Sequence, residues 1–325
     1  MRIIVHGEDA ASFSQGFAEL LGPGAEIRML PDVLASDEHR AAYAQAEAII
    51  GVKFDASLPT PAGLRLFHVP GAGYDAVDLE LLPASAAVCN CFGHEQAIAE
   101  YVMSALLARA IPLADADRRL RQGDWAWWAG APERVHDEIA GRTIGLLGFG
   151  HIGKAIAARA KAFEMQVHVA NRSPVATSPL VDRAFTLDQL AAFLGSVDVV
   201  VVSVPLTEET KGIVGAAAFA AMRPDAVLVN VGRGPTVDEE ALYEALRSRR
   251  IGGAIIDTWY RYPQAGDAAP LPSKLPFQDL SNVLMTPHMS GWTNGTIRRR
   301  QAVIAGNIRR RFSGEPLENV VRKGN

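Results

Sequence analysis

The segment Arg142–Ser173, RTIGLLGFGHIGKAIAARAKAFEMQVHVANRS, constrains the fold of this chain more than any other. A short apolar run, Ile144–Leu147, leads into Gly148-x-Gly150-x-x-Gly153; a helical pattern follows, then a second apolar run, Val167–Ala170. A strand that delivers glycines into the start of a helix is a phosphate site for physical reasons. Gly148 allows the tight turn, Gly150 lets backbone approach a pyrophosphate, and Gly153 lets helix and strand pack closely. The N–H groups at the helix start then face the anion, with His151 and Ile152 as the expected donors. Glycine turns also serve packing alone, but between two strands the spacing reads as a dinucleotide fingerprint.

The end of the second apolar run bears on which dinucleotide. An NAD site usually carries Asp or Glu about 20 residues on, accepting from the ribose 2′-hydroxyl. Here Asn171 stands 18 residues after Gly153, followed by Arg172 and Ser173. No carboxylate occupies that position, and a guanidinium with a hydroxyl suits a 2′-phosphate. The plainer reading of Arg172 is a solvated loop arginine. The expectation is NADP, with NADPH preferred over NADH.

A chain of 325 residues exceeds one ordinary core, so two domains are expected. A net charge of −4 argues against nucleic acid or an acidic membrane as partner. The basic clusters Arg298–Arg300 and Arg309–Arg311 then read as a solvated helix face. Two cysteines, Cys89 and Cys91, are too few for a disulfide framework or a metal cluster, so no metal is expected. At i and i+2 they share one face of a strand as packing residues. No apolar run reaches transmembrane length and MRIIVHGE reads as a first strand, so the cytoplasm is the expected location.

The first hundred residues alternate apolar runs (Ile3–Val5, Ala48–Val52, Leu66–Val69, Ala87–Cys89) with helical patterns, as in a small open α/β unit. Ile98 to Leu120 reads as one long helix that Pro112 bends or splits. After the fingerprint come Val199–Val204, Ala226–Val231, Gly253–Asp257 and Val283–Met285, each expected to follow a helix in a doubly wound parallel sheet. Pro263–Pro276 reads as an irregular loop over the site. Ligands bind beyond the carboxyl ends of such strands, so Asn171–Ser173, Pro205–Thr207, Gly232–Gly234, Asp257 and Thr286–Ser290 carry the interest.

In these motifs the chain resembles the D-isomer-specific 2-hydroxyacid dehydrogenase family, nearly end to end. The carriers are PGAGYDAVDL (Pro70–Leu79), AIAEYVM (Ala97–Met103), RQGDW (Arg121–Trp125), the fingerprint, VPLTEETKGIV (Val204–Val214), MRPDAVLVNVGRGPTVDEEAL (Met222–Leu242) and NVLMTPHMSG (Asn282–Gly291). The resemblance implies a Rossmann-type cofactor and dimerisation domain over 96–289. A smaller flavodoxin-like α/β substrate domain would be built from 1–95 and 290–325, with the active site in the cleft and the chain acting as a homodimer. It further implies Arg233 as the substrate arginine, whose fork suits a carboxylate and its neighbouring carbonyl oxygen. An arginine paired with Asp238 or Glu239 is the alternative reading. His288 matches the acid–base histidine, which protonates the nascent alkoxide in reduction. Ala72 and Gly73 match a backbone cradle for the substrate carboxylate. Met103, Val204, Pro205, Thr210, Val231 and Gly232 match positions along the cofactor, and Asp257, Ser290 and Gly291 positions around its carboxamide. Trp125, Trp127 and Trp128 fall in the family's dimer-interface loop.

One departure stands out. The family places a Glu before a Pro a few residues after the strand-end Asp, paired with the histidine; here Tyr262 precedes Pro263 at that position. The formate dehydrogenase branch also lacks this Glu, but carries Asn where this chain has His94. The main expectation is an NADPH-dependent reductase of small 2-oxo acids, glyoxylate and hydroxypyruvate foremost, by analogy with the family's NADPH-using branch. A formate-type or other atypical oxidation and a dinucleotide-sensing co-regulator are the alternatives; Arg233 and His288 speak against pure sensing.

Overall fold

Short runs of β-branched residues become parallel strands in both halves of the chain. The computed structural model describes residues 1–130, 133–263 and 267–325. It divides into one unit of Met1–Gly93 with Thr293–Asn325, and a second of His94–Trp292. The joints between these compact units fall at 93/94 and 292/293. His94 caps the helix Glu95–Ala110, whose apolar side belongs to the second unit, and the amide of Ser290 is bonded to Asp257 in that unit.

The first unit contains β1 (Arg2–His6), β2 (Glu26–Leu30), β3 (Ala48–Gly51), β4 (Leu66–His68) and β5 (Ala87–Cys89). The second contains β6 (Thr143–Leu147), β7 (Gln166–Asn171), β8 (Arg183–Thr186), β9 (Val199–Val202), β10 (Val227–Asn230), β11 (Gly253–Ile256) and β12 (Val283–Met285). A last strand, β13 (Val320–Arg322), returns to the first unit and pairs antiparallel with β5. The sheet orders are β13-β5-β4-β3-β1-β2 and β12-β11-β10-β9-β6-β7-β8. The second order reverses between β6 and β9, so a crevice opens beside the glycine turn.

Both faces of the larger sheet are covered, which is why its strands read as unbroken apolar runs. In β9, Val199 and Val201 enter one apolar layer with Ile144, Leu146, Val167 and Val169, while Val200 and Val202 enter the other with Leu147, Leu228 and Ile256. Three strands escape the sequence reading. β2 (EIRML), β8 (RAFT) and β13 (VVR) are edge or near-edge strands carrying charged residues, so they lack a clean apolar run. A helix before every strand is also not what forms: among the described residues between β11 and β12 there is only the 3₁₀ turn Phe277–Asp279. Within the expected loop Pro263–Pro276, residues 264–266 lie outside the described residues.

The long helix is split as Pro112 requires, into Glu95–Ala110 and Leu113–Leu120 at an angle of 51°. Among the described residues no single helix is long and apolar enough to cross a membrane. None of their His, Cys, Asp and Glu side chains group in a way that could hold a metal ion.

Cys89 and Cys91 are free, fully buried thiols in one apolar layer of the first unit, and burial pushes both up to about 12. The arginines of the C-terminal helix Asn294–Ser313 are not merely a solvated face. Arg299 donates to Gly93 O, Arg300 to Phe92 O, Arg309 to Leu20 O, and Arg311 to Arg65 O and Ser85 O. Planar guanidinium forks thereby satisfy carbonyls at loop ends and hold the helix to its own unit.

His68, at the end of β4, is fully buried. Its Nδ1 lies 3.2 Å from Val69 O, and Asn307 Nδ2 lies 3.0 Å from its Nε2. The Asn307 amide is oriented by Glu318, whose N–H donates to Oδ1 and whose carbonyl accepts from Nδ2. That network fixes a neutral imidazole with the proton on Nδ1. Burial pulls its pKa down to about 4.

Candidate active site

The glycine turn is built as its spacing requires. Gly148 has φ +100°, a left-handed conformation that favours glycine, and a Cβ on Gly153 would lie 2.4 Å from Gly148 O. A Cβ on Gly150 would meet nothing within 4 Å, so the side from which an anion would arrive is open. The helix His151–Ala162 begins there with Gly150 as N-cap, and its first-turn amides of His151, Ile152 and Gly153 point out of that end. These features fit a bound pyrophosphate.

Asn171 closes β7 and serves the turn directly: its Oδ1 accepts from Phe149 N at 3.2 Å and its Nδ2 donates to Ser173 O at 2.9 Å. Arg172 and Ser173 follow, both exposed at the sheet edge. Beyond β9, Val204 packs on Gly148, and the next loop is pinned by Thr210, which is buried. Thr210 Oγ1 donates to Pro205 O at 2.6 Å and accepts from Thr207 N at 2.8 Å. This loop also carries a carboxylate that the linear reading of the 2′ position misses. The Glu209 carboxyl is drawn below its ordinary range by the Thr207 hydroxyl, by its own amide, and by the Arg172 guanidinium. Sequence distance hides this electrostatic link, because Glu209 follows β9 and Arg172 follows β7.

Val231 and Gly232 follow β10, where a Cβ on Gly232 would meet Val204 O at 3.0 Å. Arg233 comes next. Its carbonyl accepts from Asn230 Nδ2 at 3.1 Å and from Thr236 Oγ1 at 2.6 Å, fixing the backbone that bears the guanidinium. Of the carboxylates nearby in sequence, Asp238 caps the following helix at Ala241 N, and Glu239 accepts from Ser273 Oγ and Lys274 N.

Asp257, at the end of β11, is fully buried and organises the segment that carries His288. Its Oδ1 accepts from Thr286 Oγ1 at 2.6 Å and Met289 N at 2.9 Å, and its Oδ2 from Ser290 N at 3.0 Å. The Ser290 amide is thus committed to Asp257. Thr286 is braced further by Tyr101 Oη at 2.7 Å, and its carbonyl accepts from Trp259 Nε1 at 2.8 Å. The sequence alone assigns neither Tyr101 nor Trp259 this bracing role, since each reaches Thr286 from a remote part of the chain. Gly291 packs beside His94 and Ile98. Met103 is buried in the apolar layer beneath the sheet.

Held between Met289 and Thr286, His288 adopts a left-handed backbone with φ +57°. Tyr262 Oη lies 2.9 Å from His288 Nδ1 and accepts from Trp259 N at 3.3 Å. Burial raises the Tyr262 pKa, with the Trp259 amide and the Arg233 charge acting against it, so Tyr262 is a neutral phenol at ordinary pH. In the first unit, Ala72 and Gly73 lie in the half-buried loop after β4, where Ala72 O accepts from Asn90 Nδ2 at 2.7 Å.

The model of the D-isomer specific 2-hydroxyacid dehydrogenase NAD binding domain matches residues 103–290, which include the glycine turn, Arg172, Arg233, Asp257, Tyr262 and His288. The chain belongs to that family. A glyoxylate/hydroxypyruvate reductase B from Salmonella heidelberg is 32% identical over 302 residues, 90% of this chain and 88% of the relative. Among solved structures, a 2-hydroxyacid dehydrogenase from Ketogulonicigenium vulgare Y25 superposes with a TM-score of 0.80 at 26% identity, covering 99% of this chain and 98% of that one. An NADPH-dependent glyoxylate/hydroxypyruvate reductase from Sinorhizobium meliloti, solved with NADP and malonate, has a TM-score of 0.77 at 27% identity, covering 98% and 96%. This dehydrogenase is therefore an oxidoreductase with a nicotinamide dinucleotide cofactor, working on the two-domain α/β architecture its sequence implies.

Proposed function

We propose that this dehydrogenase reduces small 2-oxo acids, glyoxylate and hydroxypyruvate foremost, to 2-hydroxy acids with NADPH. The observation that supports the reading is the His288 segment: the following amides of Met289 and Ser290 are held by buried Asp257, and the imidazole is engaged at Nδ1 by Tyr262. The bound nicotinamide would supply the hydride. Arg233 holds the substrate carboxylate and polarises its carbonyl, and imidazolium His288 gives its Nε2 proton to the oxygen as charge develops there. Tyr262 orients the ring. The amides of Ala72 and Gly73 keep, from the resemblance alone, a part in binding the carboxylate. Pyrophosphate is assigned to the first-turn amides of the helix His151–Ala162, and the adenosine side to the loop Pro205–Thr210.

The NADPH preference rests on Arg172 and Ser173. Catalytic efficiency should favour NADPH over NADH by at least about tenfold, or roughly 1.4 kcal/mol, and Arg172→Ala should erase most of that while sparing NADH use. Steady-state kinetics with both cofactors and glyoxylate decide this; equal use by the unaltered protein refutes it.

The phenol beside His288 makes a second prediction. Glu at position 262 would stabilise imidazolium and raise its pKa. Reduction uses the protonated ring, so activity falls as pH rises through that pKa. Tyr262→Glu should move the alkaline limb of the reduction profile upward by about one pH unit, a tenfold gain on that limb. Tyr262→Glu in a His288→Gln background should show no such shift.

We further assign the exposed apolar edge of the second unit to a homodimer contact. Leu113, Leu120, Trp125 and Trp128 are exposed there, and Asp115 anchors Trp127 Nε1 at 2.9 Å. A soluble, cytoplasmic setting is consistent with two free, buried thiols.

A further inference from the structure

The 2′ corner of the adenosine site contains more than Arg172. β6 lies between β7 and β9, and the glycine turn is tied to both: Gly148 N donates to Ala170 O at 2.9 Å, and Ser203 Oγ donates to Gly148 O at 3.3 Å. The residues that follow β7 and β9 therefore flank the turn at one edge of the sheet. Arg172 comes from the first and Glu209 from the second. The loop bearing Glu209 is not loose, since Thr210 Oγ1 bonds Pro205 O and Thr207 N, and Lys211 N donates to Thr207 O at 2.9 Å.

We propose that Glu209 is a specificity-determining residue for the cofactor, opposing Arg172 at the ribose 2′ position. This rests on the dinucleotide reading given above. The placement is supported by the direction in which the Glu209 carboxyl is shifted: it is drawn low by the Thr207 hydroxyl and its own amide, with a smaller contribution from the Arg172 charge. Two effects follow from charge alone. A carboxylate beside the guanidinium offsets part of its attraction for a 2′-phosphate, and it repels the phosphate itself. The same carboxylate can accept a hydrogen bond from a 2′-hydroxyl, the role that an acid at the end of β7 plays in an NAD site. The pair thus tempers the discrimination that Arg172 alone would give.

The test separates the 2′ group from the rest of the cofactor and needs no turnover. Binding of adenosine 2′,5′-bisphosphate and of adenosine 5′-monophosphate is measured by calorimetry, in low salt and in 0.5 M salt, for the unaltered protein and for Glu209→Gln, Glu208→Gln and Arg172→Ala. Glu209→Gln should raise the preference for the bisphosphate roughly five- to tenfold in low salt, and the gain should shrink in high salt as exposed charges are screened. Both glutamates are exposed, so thermal melting should be unchanged and serves as the check on folding. An unmoved preference in Glu209→Gln overturns the inference, and so does an equal gain in Glu208→Gln, which would reduce it to net charge. If instead Arg172→Ala leaves the preference unmoved, the NADPH reading itself fails, whatever Glu209 does.

Discussion

Arg233→Lys should lower kcat/KM for glyoxylate and hydroxypyruvate by about 100-fold, close to 3 kcal/mol of lost transition-state stabilisation. The charge survives the change; the fork does not. A lysine ammonium cannot donate two parallel hydrogen bonds to a carboxylate and its neighbouring carbonyl oxygen. The backbone at this position is held by Asn230 and Thr236, which the substitution leaves in place, so the loss should be chemical rather than structural. NADPH binding, followed by its fluorescence, should persist. Turnover near that of the unaltered protein with every accepted 2-oxo acid would remove Arg233 from the substrate site.

Acid should destabilise the first unit through His68. An unfolded histidine takes up a proton as pH falls through about 6.5, whereas the buried ring resists until about 4. Between those values the unfolded state binds more protons, so stability declines as pH is lowered, by about 3 kcal/mol across the window. Urea unfolding at pH 7.5 and 4.5 should show a much larger drop in midpoint for the unaltered protein than for His68→Gln. The variant is expected to be less stable at neutral pH, since it repacks a buried site. Parallel drops in the two proteins would mean that other groups carry the acid sensitivity.

The legible parts of this molecule are those where chain spacing and physical requirement coincide. The glycine turn can be read because Gly148 and Gly153 are each demanded by a local clash or a left-handed backbone. The split at Pro112 and the buried Cys89 and Cys91 follow from equally local rules. The nearness of Tyr262 to His288 can be anticipated only through the family's motif spacing, since 26 residues separate them along the chain. What stays hidden depends on neighbours brought in by the sheet. β2, β8 and β13 acquire their strand character from pairing at or near an edge, not from their own apolarity. The arginines of the last helix look solvated in sequence because the carbonyls they bind, on Leu20, Arg65, Ser85, Phe92 and Gly93, are remote in the chain. The electrostatic link between Glu209 and Arg172 is hidden for the same reason.

The buried carboxylate of Asp257 has a consequence for timing. A left-handed backbone at a residue with a side chain costs on the order of 1 kcal/mol, and His288 adopts one. Three donors to Asp257 from Thr286, Met289 and Ser290 offset that cost within the protein itself. The unfavourable conformation is therefore met once, when the chain folds, rather than in each catalytic cycle. On the proposed role of His288, substrate binding energy need not be diverted to shaping this segment, and remains available to the transition state.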